Sequence, residues 1–182
     1  MEQDLGSFDT IEHIVARLRA PDGCPWDRKQ THASIKPYLI EEAYEVLQAL
    51  DDENSDKLCE ELGDLLLQIL LHAQIASEAG EFTMRDVTRG IATKLIRRHP
   101  HVFGESNASD AEEVALEWET LKQDERKPDD SLLSSVPKGM PALSYSHSIQ
   151  RRAAGVGFDW KESRGVLEKL VEEVRELEQA ST

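Results

Sequence analysis

The chain has 182 residues, 39% of them hydrophobic and 31% charged: enough for one well-cored soluble domain with an appendage, too few for two domains of average size. Its 21 Lys and Arg against 36 Asp and Glu give a formal charge of −15, which argues against nucleic acid or an anionic membrane as a general partner. An anionic substrate would therefore need a positive intermediary, and a divalent cation would serve.

Cys24 and Cys59 are isolated, with no CxxC pair and no disulfide framework, which suits a reducing compartment. The N-terminal MEQDLGSFDTIEH is polar and acidic, without the layout of a signal peptide. The longest apolar run is far short of the ~20 residues that a membrane span needs. The expectation is a cytoplasmic protein with no membrane contact.

In chain order, Ile11, Ile14, Val15 and Leu18 recur at helical spacing, with Ser7 or Asp9 available as cap. Residues 20–34, APDGCPWDRKQTHAS, read as a structured loop. Pro37 suits a first helical turn, and Leu39, Ile40, Ala43, Val46, Leu47 and Leu50 follow it as an apolar stripe. After a polar turn at 51–55, a helix over residues 55–79 has a centre, LLLQILL, that is apolar nearly all the way round. Such a helix is buried on all sides, and in a domain this small that predicts a subunit interface along it. Gly80 ends this helix, and Thr83 caps the next, which runs to about residue 99 and stops before Pro100.

A polar loop at 104–110 leads to a charged helix over 111–127. From Pro128 onward, prolines and glycines punctuate a linker that holds one short helix near residues 144–154, and a last helix covers 163–180. No stretch alternates over strand length, so the fold class is all-α. Residues 39–49, LIEEAYEVLQA, and 170–180, LVEEVRELEQA, share six identities in eleven. That is either the chance likeness of two Glu/Leu-rich helices or a tandem repeat whose second copy is cut off almost as it begins.

Two acidic clusters carry the chemistry. Glu41, Glu42 and Glu45 form EExxE on one predicted helix, and Glu61 and Asp64 form ExxD on the next. At roughly 100° per residue, Glu42 and Glu45 share a face, as do Glu61 and Asp64, and an antiparallel helix pair turns the two sets toward each other. Carboxylates so gathered repel one another unless a hard divalent cation neutralises them, and all-oxygen coordination suits Mg²⁺ or Mn²⁺. A ferritin-like di-iron centre would want Glu-x-x-His, which does not occur here. Lys94, Arg97 and Arg98 on the helix before Pro100, and Lys57 one turn before Glu61, are donors for phosphate oxygens, although cations near a helix end also complement its dipole. His99 and His101, flanking Pro100, read as surface or structural residues. Trp26 and Trp118 read either as base-stacking elements or as anchors.

GCPWDRKQTH, EEAYE at 41–45, EELGDLLLQ at 60–68 and KLIRRHPHVF at 94–103, in this order and spacing, closely resemble the MazG-type nucleoside triphosphate pyrophosphohydrolases over roughly residues 8–122. The resemblance implies an all-α NTP pyrophosphatase bundle that dimerises through its helices. It also implies Mg²⁺-dependent hydrolysis of a nucleoside triphosphate to the monophosphate and pyrophosphate, as broad-specificity house-cleaning of the nucleotide pool. Carried over residue by residue, Glu42, Glu45, Glu61 and Asp64 hold Mg²⁺, with Mn²⁺ as a substitute, and Glu41 is the general base. Lys57, Lys94, Arg97 and Arg98 hold the triphosphate, and Trp118 touches the nucleotide.

The implied organisation is a catalytic bundle at 1–127, a linker at 128–160 and an incomplete second repeat from 161 to 182. That second half has no ExxD and cannot build a metal site. In some two-domain relatives the second domain carries the main activity, so a weak or silent helical regulatory module is the competing expectation. The expected partners are the substrate and a second copy of the chain, as homodimer or higher homo-oligomer.

Overall fold

The computed structural model describes residues 4–106, 108–125, 131–160 and 162–180, and all regular structure among them is helical. The helices are α1 (Phe8–Arg19), α2 (Pro25–Lys29), α3 (His32–Asp51), α4 (Ser55–Glu78), α5 (Met84–Arg98), α6 (Pro100–Phe103), α7 (Ala111–Asp124), α8 (Ala142–Ala154) and α9 (Ser163–Ala180). They fall into two compact units divided between Arg97 and Arg98.

In the first unit, α3 and α4 form an antiparallel hairpin across the turn 52–54, and α1 packs on α4 and α2. The hairpin starts earlier than Pro37 suggests. Thr31 and Ser34 form a reciprocal capping box, in which Ser34 N–H donates to Thr31 Oγ1 at 3.2 Å and Thr31 N–H to Ser34 Oγ at 2.9 Å. Two satisfied amides fix the helix start at His32, and Pro37 lies inside the helix, at the cost of one intrahelical hydrogen bond.

The expected loop at 20–34 also contains a helix. Pro25 opens α2 from its first turn, where a missing N–H costs nothing. Gly23 makes the approach possible, because a Cβ there would lie 2.3 Å from the carbonyl oxygen of Leu18.

Val15, Ile35, Leu70, Leu71, Ala73 and Met84 form the buried core of this unit, with Ile11, Leu66, Leu67 and Ile75 against it. Arg19 fastens its rim. The guanidinium, 5% exposed, donates to both carboxylate oxygens of Glu78 at 2.8 and 2.7 Å and to the carbonyls of Asp27 and Gln30. One buried cation thus ties α1 to α2 and to the end of α4.

The apolar centre of α4 is only partly covered. Leu70 and Leu71 are buried, whereas Ile69 is 39% exposed and Leu62 50% exposed. Gly80, at φ +72°, terminates α4 as its position predicts.

In the second unit, α5 ends at Arg98 and Pro100 opens the single turn α6. Asp110 caps α7, its Oδ1 accepting the amides of Glu112 and Glu113 at 2.9 Å each. Arg152 of α8 holds the turn at 131–136 through the carbonyls of Leu132 and Ser135 and the Ser135 hydroxyl. The ring of Trp160 lies against Gly165 of α9, where an added Cβ would come within 2.6 Å of it.

Candidate metal centre and nucleotide-binding residues

The α3–α4 hairpin brings the two acidic motifs face to face. One oxygen each from Glu42, Glu45 and Glu61 lie within 4.8 Å of one another. Glu61 is buried at 7% exposure, Glu42 is half-buried and Glu45 is exposed, so the cluster opens to solvent on one side.

Its electrostatics follow from that packing. Burial pushes the Glu42 carboxyl above its ordinary range, and the charges of Asp64 and Glu45 push it further. Glu61 is also raised, by burial first and then by Glu45, against a lowering influence from Lys57. The Lys57 ammonium lies 3.8 Å from Glu61, one turn away on α4. Asp64 belongs to the same group through its influence on Glu42.

These carboxylates destabilise one another, with Lys57 as the local cation. A hard divalent ion fits this donor set, since it would accept oxygen ligands from both helices and cancel their repulsion. Among the described residues, this is the group of three or more candidate ligands that could hold one ion.

The other residues singled out from the sequence are distributed. Glu41 is exposed on α3, adjacent in sequence to Glu42. Lys94 and Arg97 are exposed on α5, in the first unit. Arg98 and Trp118 belong to the second unit, where they line one cavity. Arg98 Nε donates to Glu125 at 3.0 Å. The indole of Trp118 meets the His99 ring edge to face, with centroids 4.8 Å apart, which gives His99 a structural role. Trp26 is 55% exposed and tilted against Tyr38, so it is not a buried anchor for its segment.

Two arrangements were not read from the sequence. His32 and His72 stack at 8° between planes with their Nδ1 atoms 2.7 Å apart, which clasps the far end of the hairpin. Forty residues separate them, and no local pattern pairs them. Lys122, Arg151 and Arg152 join Arg98 and Trp118 around the cavity of the second unit. The adjacent arginines were the available signal there, but they read as part of a linker.

Residues 30–103 match the family model of the MazG nucleotide pyrophosphohydrolase domain. A protein of Thermotoga maritima named nucleoside triphosphate pyrophosphohydrolase/pyrophosphatase MazG is 51% identical over 174 residues, covering 95% of this chain and 67% of its own length. The nucleoside triphosphate pyrophosphohydrolase of Escherichia coli is 46% identical over 176 residues, with the same 95% and 67% coverage. The chain thus spans about two thirds of the length of these relatives.

The crystal structure of a mazG-related protein from Thermotoga maritima matches with a TM-score of 0.55 at 27% identity, over 63% of this chain and 98% of that one. Among the described residues, no helix is long and apolar enough to cross a membrane. With both acidic motifs on one helical hairpin, and with identity of this extent to its relatives, the chain belongs to the MazG family of nucleotide pyrophosphohydrolases.

Proposed function

We propose that this chain hydrolyses nucleoside triphosphates to the monophosphate and pyrophosphate, as a house-cleaning enzyme of the cytoplasmic nucleotide pool. The observation that carries the reading is the convergence of Glu42, Glu45 and Glu61 within 4.8 Å on the α3–α4 hairpin, beside Asp64. These four carboxylates are the ligands for Mg²⁺, with Mn²⁺ as a substitute. The ion, when bound, supplies charge neutralisation at the phosphates and a more acidic water.

Glu41, exposed at the next position to Glu42, takes the proton of the attacking water. The oxygen of that water bonds to phosphorus as the bridge between the α and β phosphates breaks, and pyrophosphate leaves. Lys57 positions Glu61 and offers a charge to the same anion, and Lys94, Arg97 and Arg98 are donors to its non-bridging oxygens. Trp118 contacts the nucleotide.

The reading includes a homodimer or higher homo-oligomer. Ile40, Tyr44 and Leu47 are 51–58% exposed at successive turns of α3, and Val87, Ile91 and Leu95 repeat the pattern on α5. Light scattering on the purified chain reads the mass directly.

The deciding experiment is hydrolysis with Mg²⁺, with pyrophosphate assayed separately from orthophosphate, for the wild type and Glu42→Ala. Pyrophosphate released by the wild type and lost in the variant supports the reaction and the site together. A folded wild type that releases none from canonical or damaged nucleotides would move the reading to a silent regulatory module.

A further inference from the structure

His32 and His72 lie outside the acidic centre and take no part in the chemistry proposed above. His32 is exposed at the first position of α3, and His72 is half-buried on α4, about 12 Å along that helix from Asp64. Their Nδ1 atoms stand 2.7 Å apart, with the ring planes within 8° of parallel. Each ring is carried by a helix of the packed hairpin, so folding alone brings the two nitrogens together.

A neutral imidazole nitrogen is a ligand for borderline transition ions and a poor one for Mg²⁺. Burial holds the His72 pKa below its usual 6.5, which leaves that ring neutral at about pH 7. Metal–nitrogen bonds of about 2.0 Å put adjacent positions of a square-planar ion about 2.8 Å apart, and those of a tetrahedral ion about 3.3 Å apart. The observed separation suits the first. An ion between the rings replaces the proton they share, and each neutral ring then carries its proton on Nε2.

The surroundings of His72 favour that tautomer. Its Nε2 and the Oε1 of Gln68 are both buried without a hydrogen-bond partner, on residues one turn apart on α4. Gln68 is only 6% exposed, so water does not readily satisfy its oxygen. With its proton on Nε2, His72 becomes a donor one turn from an acceptor that otherwise has none. A hydrogen bond from the outer ring nitrogen is what orients an imidazole on a metal.

We propose that His32 and His72 bind one transition ion of the Ni²⁺ or Cu²⁺ class through both Nδ1 atoms, with water completing its coordination. The ion clips the start of α3 to α4, so the hairpin is closed at one end by its turn and at the other by metal. The two sites divide the ions by donor type: carboxylates keep the hard Mg²⁺, and imidazoles take the softer ion.

The test is calorimetric titration of the full chain with Ni²⁺ in excess Mg²⁺, which occupies the carboxylates. The wild type binds one Ni²⁺ per chain, and its melting temperature rises with Ni²⁺ concentration. His32→Ala loses at least about tenfold in affinity together with that rise. His147→Ala, which removes an exposed histidine of α8, changes neither. Melts of the metal-free variants establish folding. Histidine ring spectra of the wild type give a reading that needs no variant: of the six histidines, substoichiometric paramagnetic Ni²⁺ broadens His32 and His72 first. Absence of Ni²⁺ binding in excess Mg²⁺, equal affinity in the wild type and a folded His32→Ala, or uniform broadening of all six rings overturns the proposal.

Discussion

Helices α3 and α9 share six of eleven residues over one stretch and do different things with them. Residues 39–49 and 170–180 share both adjacent glutamates and the glutamate one turn on. In α3, Glu42 and Glu45 meet the buried Glu61 of α4, and Ala49 is 1% exposed in the packed hairpin. In α9, Glu172 and Glu173 turn instead to Lys169, at 2.8 and 3.2 Å, and the helix exposes Val166, Leu170, Val174 and Leu177. A carboxylate repeat is therefore not a metal centre by itself. It becomes a candidate when a second helix returns with an acid that burial holds in place.

The strongest way to break this comparison is to remove matched acids. Glu42→Ala should cost at least about 100-fold in pyrophosphate release, the scale expected when a metal ligand is lost. Glu173→Ala should leave the rate unchanged. Equal losses would mean that α9 contributes to catalysis and that the comparison misleads. Stability should show the opposite pattern in EDTA. Burial and the charge of Glu45 already raise the Glu61 carboxyl, so Glu61→Gln should melt higher than the wild type without metal and lose the stabilisation that Mg²⁺ gives.

How much of this was legible in the sequence follows from which interactions are local. The helices and their stops are set by i, i+3 and i, i+4 spacing, by Gly80 and by Pro100, and these read directly. EExxE and ExxD are also local, and the short turn between their helices makes their meeting predictable. The start of α3 was displaced toward Pro37 because a proline is a louder signal than the Thr31–Ser34 box that actually caps the helix. The α2 turn was hidden in a Gly- and Pro-rich stretch, because the fit of Gly23 against Leu18 is a tertiary fact. The His32–His72 clasp and the four-base cavity were not legible at all, since each joins residues distant along the chain.

The hairpin has a buried fastening, whereas no described residue of α9 is buried, and Arg19 tests that contrast. Arg19→Ala leaves Glu78 and two carbonyls without their shared donor, which should cost about 3 kcal/mol in denaturant unfolding. The Arg19 hydrogen bonds hold Glu78 below its usual range of about 4.5, with Gln74 helping. A depressed carboxyl contributes stability above its unfolded value and loses it as pH falls through the folded one. The variant should therefore also show a flatter acid limb below about pH 4.5.

A smaller effect belongs to the histidine clasp at the far end of the same hairpin. The Nδ1 to Nδ1 contact requires one ring to donate and the other to accept, so it fails once both are protonated. Burial, and then the charge of His32, lower the His72 pKa from its usual 6.5. The neutral ring is the one the fold favours, so its stabilisation is complete above pH 6.5 and is lost as pH falls through the lowered value. Urea midpoints should fall over that window by an amount equivalent to about 1 kcal/mol, and His72→Phe should remove the dependence. An unchanged pH profile in the variant would show that the clasp does not couple to folding.

The smallest expected effect closes the comparison from the side of α9. Lys169 supplies a counter-charge to paired glutamates within α9, where α4 instead brings α3 a further carboxylate, and hydrogen bonds to Glu172 and Glu173 raise its pKa to about 12. Glu172 and Glu173 are exposed and Lys169 is half-exposed, so the gain in Coulomb energy is screened and the cost of ordering three long side chains offsets it. Lys169→Ala should therefore leave the melting temperature unchanged within error at physiological salt, despite the raised pKa. Arg19, with one carboxylate partner and a buried guanidinium, should cost several degrees in the same assay. If Lys169→Ala instead melts markedly lower, α9 is ordered by its own charges rather than by what it packs against, and the contrast with α3 must be drawn from electrostatics instead of burial.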